Sequence, residues 1–109
     1  MNPKDCRDDS KIPWRNLPWD SLKEVGEVIR YGTGRHGPRN WEQRDPVDAD
    51  FESAMVRHVV AYMSGEKLDK ESGRHHLAHA IANALFVIHH ESKAKSIHGW
   101  NLHLSRQVE

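Results

Sequence analysis

The sequence predicts an all-α protein: a small bundle of three main helices with an extended N-terminal arm and a long Gly/Pro loop, expected to be oligomeric. Two observations carry this. Apolar residues recur at helical spacing in three segments, each fenced by Gly or Pro. The 109 residues are 37% hydrophobic and 7% aromatic, thin for a chain that folds alone and suited to a core shared between copies. The length is that of one domain, 1–109, read as arm (1–18), helical core (19–92) and C-terminal tail (93–109).

The arm is polar and carries Pro3, Pro13 and Pro18. Its "IPWRNLPW" stretch offers Ile12, Trp14, Leu17 and Trp19 as cover for the body. In the first helix, Ser21 and Glu24 form a capping box, Leu22, Val25 and Ile29 mark the apolar face, and Gly32 is the expected stop. The Gly/Pro-rich stretch Gly32–Pro46 reads as a loop. It fits no dinucleotide or phosphate-loop pattern.

A second helix is expected over Asp50–Met63, with Phe51, Ala54, Met55, His58, Val59 and Tyr62 on one stripe. The third is expected from Ser72, as N-cap, to about Ser92. Leu77, Ile81, Ala84, Leu85 and Ile88 form its expected packing face, and His76, His79, Ala80, Asn83, Val87 and His90 lie opposite. Alanines 78, 80, 82 and 84 would let neighbouring helices approach closely. The tail, with Trp100, Leu102 and Leu104, could dock on a partner chain.

Lys+Arg and Asp+Glu both number 16, so the net charge is zero, which disfavours non-specific nucleic-acid binding. No sequence-specific nucleic-acid motif is present. Cys6 is alone, giving no disulfide framework and no CxxC metal signature, and a cytoplasmic setting fits. No apolar run approaches the ~18 residues of a membrane span.

Nine histidines are the unusual number, six of them between His58 and His90. His76, His79 and Asn83 project from one helical face, and His58 sits on the stripe of the preceding helix. An antiparallel pair joined by the loop 64–71 would bring them face to face, with Glu66, Asp69 and Glu71 at the mouth. Imidazoles can ligate metals or move protons, and carboxylates suit Mg²⁺ or Mn²⁺. A core histidine is more commonly just hydrogen-bonded, but several on facing helices would be costly if unsatisfied. Arg35, Arg39 and Arg57 are candidates for phosphate contacts.

The stretches "RDDSKIPWRNLPW", "VIRYGTGRHGPRNWE", "RHVVAYMSGEKLDKESG" and "HHLAHAIANALFVIHHE" resemble the dATP/dGTP diphosphohydrolase N-terminal domain family, over about residues 7–91. Ser10, "IPWRNLP" and Arg35–His36 depart from its pattern. The resemblance implies hydrolysis of a deoxynucleoside triphosphate to monophosphate and pyrophosphate, and distant kinship with all-α MazG-type pyrophosphohydrolases. Their ExxE…ExxD helix pattern is missing here.

Carried onto matching positions, it implies a divalent metal, Mg²⁺ or Mn²⁺, at Glu66, Asp69, His76 and His79. His58, Glu66 and Asp69 would be catalytic, with His58 as ligand or general base. Arg39, Asn40, Trp41, Arg57 and Asn83 would bind the nucleotide, and Trp41 or Trp14 would stack on its base. The competing expectation is a non-catalytic phage protein that sequesters a nucleotide signal of host defence.

Overall fold

The computed structural model describes residues 11–95; Cys6 and the tail residues Trp100, Leu102 and Leu104 lie outside them. Among the described residues, five helices follow a 3₁₀ turn at Trp14–Asn16: α1 (Trp19–His36), α2 (Asn40–Gln43), α3 (Pro46–Ala49), α4 (Phe51–Met63) and α5 (His76–Lys95). No strand occurs among the described residues, only an isolated bridge between Leu68 and His75. The all-α expectation holds, with three long helices and two single turns.

Helix α5 packs mainly on α4 and also on α1. Ring contacts pair Phe51 with Phe86, His58 with His79 and Tyr62 with His75, so α4 and α5 run antiparallel. On the α1 side, Val25 and Val28 meet Ala78 and Ala82, with Ile29 and Phe86 packed against that cluster. The alanines let the α1 backbone come close, as their spacing suggested.

Several boundaries differ from expectation. Helix α1 begins at Trp19 after Pro18, without a side-chain cap. Glu24, free of the capping box, instead binds Arg74 and the His75 amide. The helix also runs through Gly32 to Gly37, whose φ of +93° ends it and whose N–H reaches the Thr33 carbonyl. Bonds from Arg35 to Tyr31 Oη and from Thr33 Oγ1 to the Ile29 carbonyl support this last turn.

The expected loop therefore holds the end of α1, then α2 and α3. Arg39 in the left-handed region precedes α2, and Asp45 caps α3 with Pro46 at its first position. Helix α4 starts as expected, with Asp50 accepting from the Ser53 amide. Helix α5 starts later than expected, at His76. Ser72 is committed elsewhere, and His75 Nδ1 accepts from the Leu77 amide.

The expected packing face of α5 is the larger correction. Ile81, Leu85 and Ile88 are 45–48% exposed, whereas Ala78, Ala80, Ala82 and His76 are buried. The alanine side faces α1, and the histidine side faces α4, leaving the large aliphatics outward. Ile12, Trp14 and Trp19 are also more than half exposed and do not cover the body as expected.

Candidate functional site: an imidazole–carboxylate cluster beside an aromatic cavity

The loop from α4 to α5 positions the carboxylates. Gly65, at φ +107°, turns the chain, and the Glu66 amide donates back to the Ala61 carbonyl. The loop folds on itself through Asp69 N–H to Arg74 O (2.8 Å), Gly73 N–H to Asp69 O (2.7 Å) and His76 N–H to Lys67 O (2.9 Å). Gly73 takes φ +75°, a conformation side-chain-bearing residues rarely adopt. Glu24 of α1 holds the far side of this loop, its carboxylate accepting from the His75 amide at 3.0 Å and Arg74 Nη1 at 3.2 Å.

Against this loop sit three imidazoles. His76 is 4% exposed, the one polar side chain in the buried class among the described residues. Its Nε2 lies 2.6 Å from Glu66 Oε1 and its Nδ1 2.8 Å from His58 Nδ1. A carboxylate only accepts, so Nε2 carries a proton, and Nδ1 on the other side of the ring faces His58. His58 lies flat on His79, ring centroids 4.4 Å apart. His79 Nε2 meets Ser72 Oγ at 2.6 Å and lies 3.9 Å from Asp69 Oδ2. Asp69 Oδ2 accepts from the Ser72 amide at 2.8 Å.

Electrostatics follow from this crowding. Burial, then the neighbouring His79 and His76, push His58 down to about 4. Burial also lowers His79, against the pull of Asp69. Burial opposes ionisation of Asp69, but bonds from Ser72 and the nearby imidazoles outweigh it and hold the carboxyl below its ordinary value. The His76 hydrogen bond lowers Glu66. The result is neutral His58 and His79 rings beside ionised carboxylates near pH 7.

His79 also lines a cavity of about 310 Å³ between α1, α2, α4 and α5. Val28, Ile29, Phe51, Trp41 and Phe86 give it apolar and aromatic walls, while Asn40, Asn83, Arg44 and Arg57 bring polar groups. Trp41 stacks on Phe86 at 5.0 Å and 13°. Asn83 Nδ2 donates to the His79 carbonyl at 2.9 Å, leaving its Oδ1 as an acceptor. Arg57 and Arg44 make no ion pair among the described residues, Arg44 lying over the Phe51 ring at 5.9 Å. A small apolar cleft with a few polar groups is the usual form of a small-molecule site.

The structure thus brings His58, Glu66, Asp69, His76 and His79 into one cluster. It places Asn40, Trp41, Arg57 and Asn83 on the adjoining cavity. Arg39 is not among the cavity residues: its fork binds Glu42 at 2.9 and 3.1 Å, and its guanidinium lies over Trp41 at 4.7 Å. Trp14 does not line the cavity either, and is 59% exposed. Arg35 and Glu71 pair with each other beside Tyr31.

Sequence reasoning missed Arg44, His36, Phe51 and Phe86 as cavity residues. Only the fold gathers them, since no periodicity links α1, α2 and α5. Ser72 as a partner of His79 was missed because an N-cap role suited its position.

A "dATP/dGTP diphosphohydrolase" of Salmonella phage PMBT28 is 30% identical to this chain over 80 residues, 73% of this chain and 27% of the relative. The chain thus matches about a quarter of that relative's length. No solved structure matches it. The family model described as "dATP/dGTP diphosphohydrolase, N-terminal" matches residues 1–99, and the chain belongs to that family.

Proposed function

We propose that this domain binds a purine deoxynucleoside triphosphate in the cavity and takes part in its metal-dependent hydrolysis to monophosphate and pyrophosphate. The observation that carries this reading is the position of His79. It lines the cavity and lies against the imidazole–carboxylate cluster, so a ligand in one adjoins the chemistry of the other. The name of the phage relative points to the same substrates. At about 310 Å³ the cavity suits a base and sugar, with the phosphates directed to its charged groups.

The Asn83 carbonyl oxygen suits the N–H groups of a purine edge. Arg57 and Arg44, which make no ion pair among the described residues, gather phosphate oxygens. His79, kept neutral by burial, accepts the proton released as water adds to phosphorus and the pyrophosphate oxygen departs. His58, lowered to about 4, is a weak base at neutral pH and serves as a donor ligand. A divalent cation bound at the cluster would neutralise phosphate charge and acidify the attacking water.

The test is release of deoxynucleoside monophosphate and pyrophosphate from dATP and dGTP with added divalent cation. Loss of turnover in His79→Ala, with nucleotide binding retained, is expected. Binding followed by recovery of intact triphosphate under every cation would replace hydrolysis with sequestration. That second reading is favoured by the cavity itself, whose aromatic walls and arginines could hold a nucleotide without any metal.

A second copy of the chain covers the outward face of α5. From His76 to His90 the helix has no Asp, Glu, Lys or Arg. An uncharged helix with aliphatic side chains on its outward face is normally covered there, yet Ile81, Leu85 and Ile88 are nearly half exposed and Val56 and Val60 of α4 more than half. Light scattering should report an oligomer that Leu85→Glu dissociates. A monomer with the native residues removes this assignment and leaves the nucleotide site standing. No described helix is long and apolar enough to cross a membrane.

A further inference from the structure

We infer that His58, His76 and Asp69 form a first-row transition-metal centre, with Glu66 as its outer carboxylate, and that the centre discriminates against Mg²⁺. The inference deepens the hydrolase reading and rests on it only for the use made of the metal; the binding itself stands on the donor set.

Three separate elements supply the donors: α4 gives His58, the loop gives Asp69 and the first residue of α5 gives His76. One ligand atom from each lies within 4.8 Å of the others. Donors around a four-coordinate ion with bonds of about 2.0–2.2 Å stand roughly 3.3–3.6 Å apart. The two Nδ1 atoms, 2.8 Å apart, would have to open by about 0.5–0.8 Å. Asp69 would close by up to about 1.5 Å. Shifts of that size are within side-chain torsion, because Asp69 sits in the loop and His58 is only partly buried.

The far side of His76 distinguishes a metal ligand from a plain hydrogen-bonded ring. Glu66 Oε1 accepts from its Nε2 at 2.6 Å, which fixes the proton there and leaves Nδ1 basic and aimed inward. This carboxylate–histidine arrangement is the one that orients imidazole ligands and raises their basicity. A simple buried pair needs one shared proton and neither carboxylate. Here Asp69 is held at the cluster by the Ser72 amide, and Glu66 is further anchored by Lys70 at 3.5 Å.

The chemistry of the donors selects the ion. Two imidazole nitrogens and one carboxylate suit Zn²⁺, Co²⁺ and their neighbours, whose affinities for nitrogen sites exceed those of harder ions. Mg²⁺ prefers six oxygens at about 2.0–2.1 Å and retains its waters. Glu66 and His79, grouped with the ligands from sequence, take outer places: Glu66 behind His76, and His79 bonded to Ser72 and facing the cavity.

The experiment uses the full chain, stripped with chelator, incubated with Zn²⁺, Co²⁺ or Mg²⁺ alone, desalted, and assayed by mass spectrometry for metal per chain. About one equivalent of Zn²⁺ or Co²⁺ and none of Mg²⁺ is expected, with a visible Co²⁺ spectrum typical of few-coordinate nitrogen–oxygen ligation. His58→Gln and Asp69→Asn should each abolish retention with helicity unchanged by circular dichroism. Glu66→Gln should weaken Zn²⁺ by about 10–100-fold without abolishing it. The inference is overturned if Zn²⁺ and Co²⁺ are not retained, or if the ligand variants retain them as well as the native chain. Hydrolysis with Mg²⁺ and no transition-metal retention would sink the centre and keep the hydrolase reading. Stoichiometric Zn²⁺ without turnover under any cation would do the reverse.

Discussion

At one end of the α4–α5 pair Phe51 meets Phe86 edge-on at 5.2 Å; at the other, His58 lies flat on His79 at 4.4 Å. The two contacts hold the same register of the same two helices. At the first end, aromatic rings bury area, the His90 Nε2–Trp41 carbonyl contact at 2.8 Å supplies a polar link, and the buried His89 Nε2 has no partner among the described residues. At the second, the α4–α5 loop supplies a carboxylate and a hydroxyl: Glu66 meets His76 Nε2 and Ser72 meets His79 Nε2. Packing energy is therefore concentrated at the aromatic end and chemistry at the loop end. The difference shows how a chain this short can place several imidazoles in its interior: the neighbouring turn of each helix does the holding.

The largest effect should come from the aromatic end. Phe86→Ala removes the Trp41 stack, the Phe51 contact and part of the Val25–Ala82 packing. A cost of about 3 kcal/mol or more is expected, seen as a lower urea midpoint at unchanged slope. His58→Ala at the other end strands one acceptor of His76 and should cost about 1–2 kcal/mol. Equal costs at both ends would break the division drawn here.

Next in size is Arg57→Ala. Loss of a charge-assisted contact to phosphate is worth about 1.5–3 kcal/mol, or roughly 10–100-fold in affinity. Calorimetry should show that loss for dATP and little change for deoxyadenosine, because Arg57 is assigned to phosphate and not to the base. Similar losses for both ligands would move Arg57 from phosphate recognition to shaping the cavity.

The acid response of metal-free protein tests the loop end by itself. His58 sits near 4 in the folded chain against an ordinary value of 6.5, and His79 is lowered as well. Above 6.5 both states are neutral at these rings, so stability is flat. Between 6.5 and about 4 the unfolded chain takes up protons that the folded chain refuses, and stability falls as pH falls. Asp69 and Glu66, held below their ordinary values, extend the loss further down as they protonate. Melting temperature in chelator should be level from pH 8 to 7 and decline from there toward pH 5. His58→Leu should flatten the upper part of that decline, and a rise in melting temperature on acidification would contradict the geometry.

Much of this organisation was legible in the sequence, and the reasons for the rest are specific. Helix α4 was readable to within a residue because Asp50 caps it and its apolar stripe is clean. The His58, His76 and His79 grouping was readable because helical spacing and one short loop constrain it. The faces of α5 were not, since spacing separates Leu77, Ile81, Leu85 and Ile88 from the histidines without saying which side meets a neighbour. Small alanines won the inner position because close approach of α1 excludes larger side chains. Gly32 misled for a related reason: tertiary contacts carried α1 past a residue that would end an isolated helix. The cavity was least legible, being assembled from side chains on all five helices with no shared pattern.

The smallest effect expected is at His75, adjacent in sequence to the most buried imidazole and different from it in role. Its Nδ1 accepts from the Leu77 amide at 3.0 Å, and its own amide binds Glu24, so it closes the first turn of α5 from outside the cluster. His75→Ala keeps the amide and loses only the side-chain cap and the Tyr62 ring contact. About 0.5–1 kcal/mol of stability should go with it, in the range of lost helix caps. Metal retention and nucleotide affinity should stay at native levels. His76→Ala, one position along, should lose metal retention altogether, because its ring reaches Glu66 on one side and His58 on the other. If the two substitutions behave alike, the loop end is a generally sensitive turn, and the separation of capping from ligation fails.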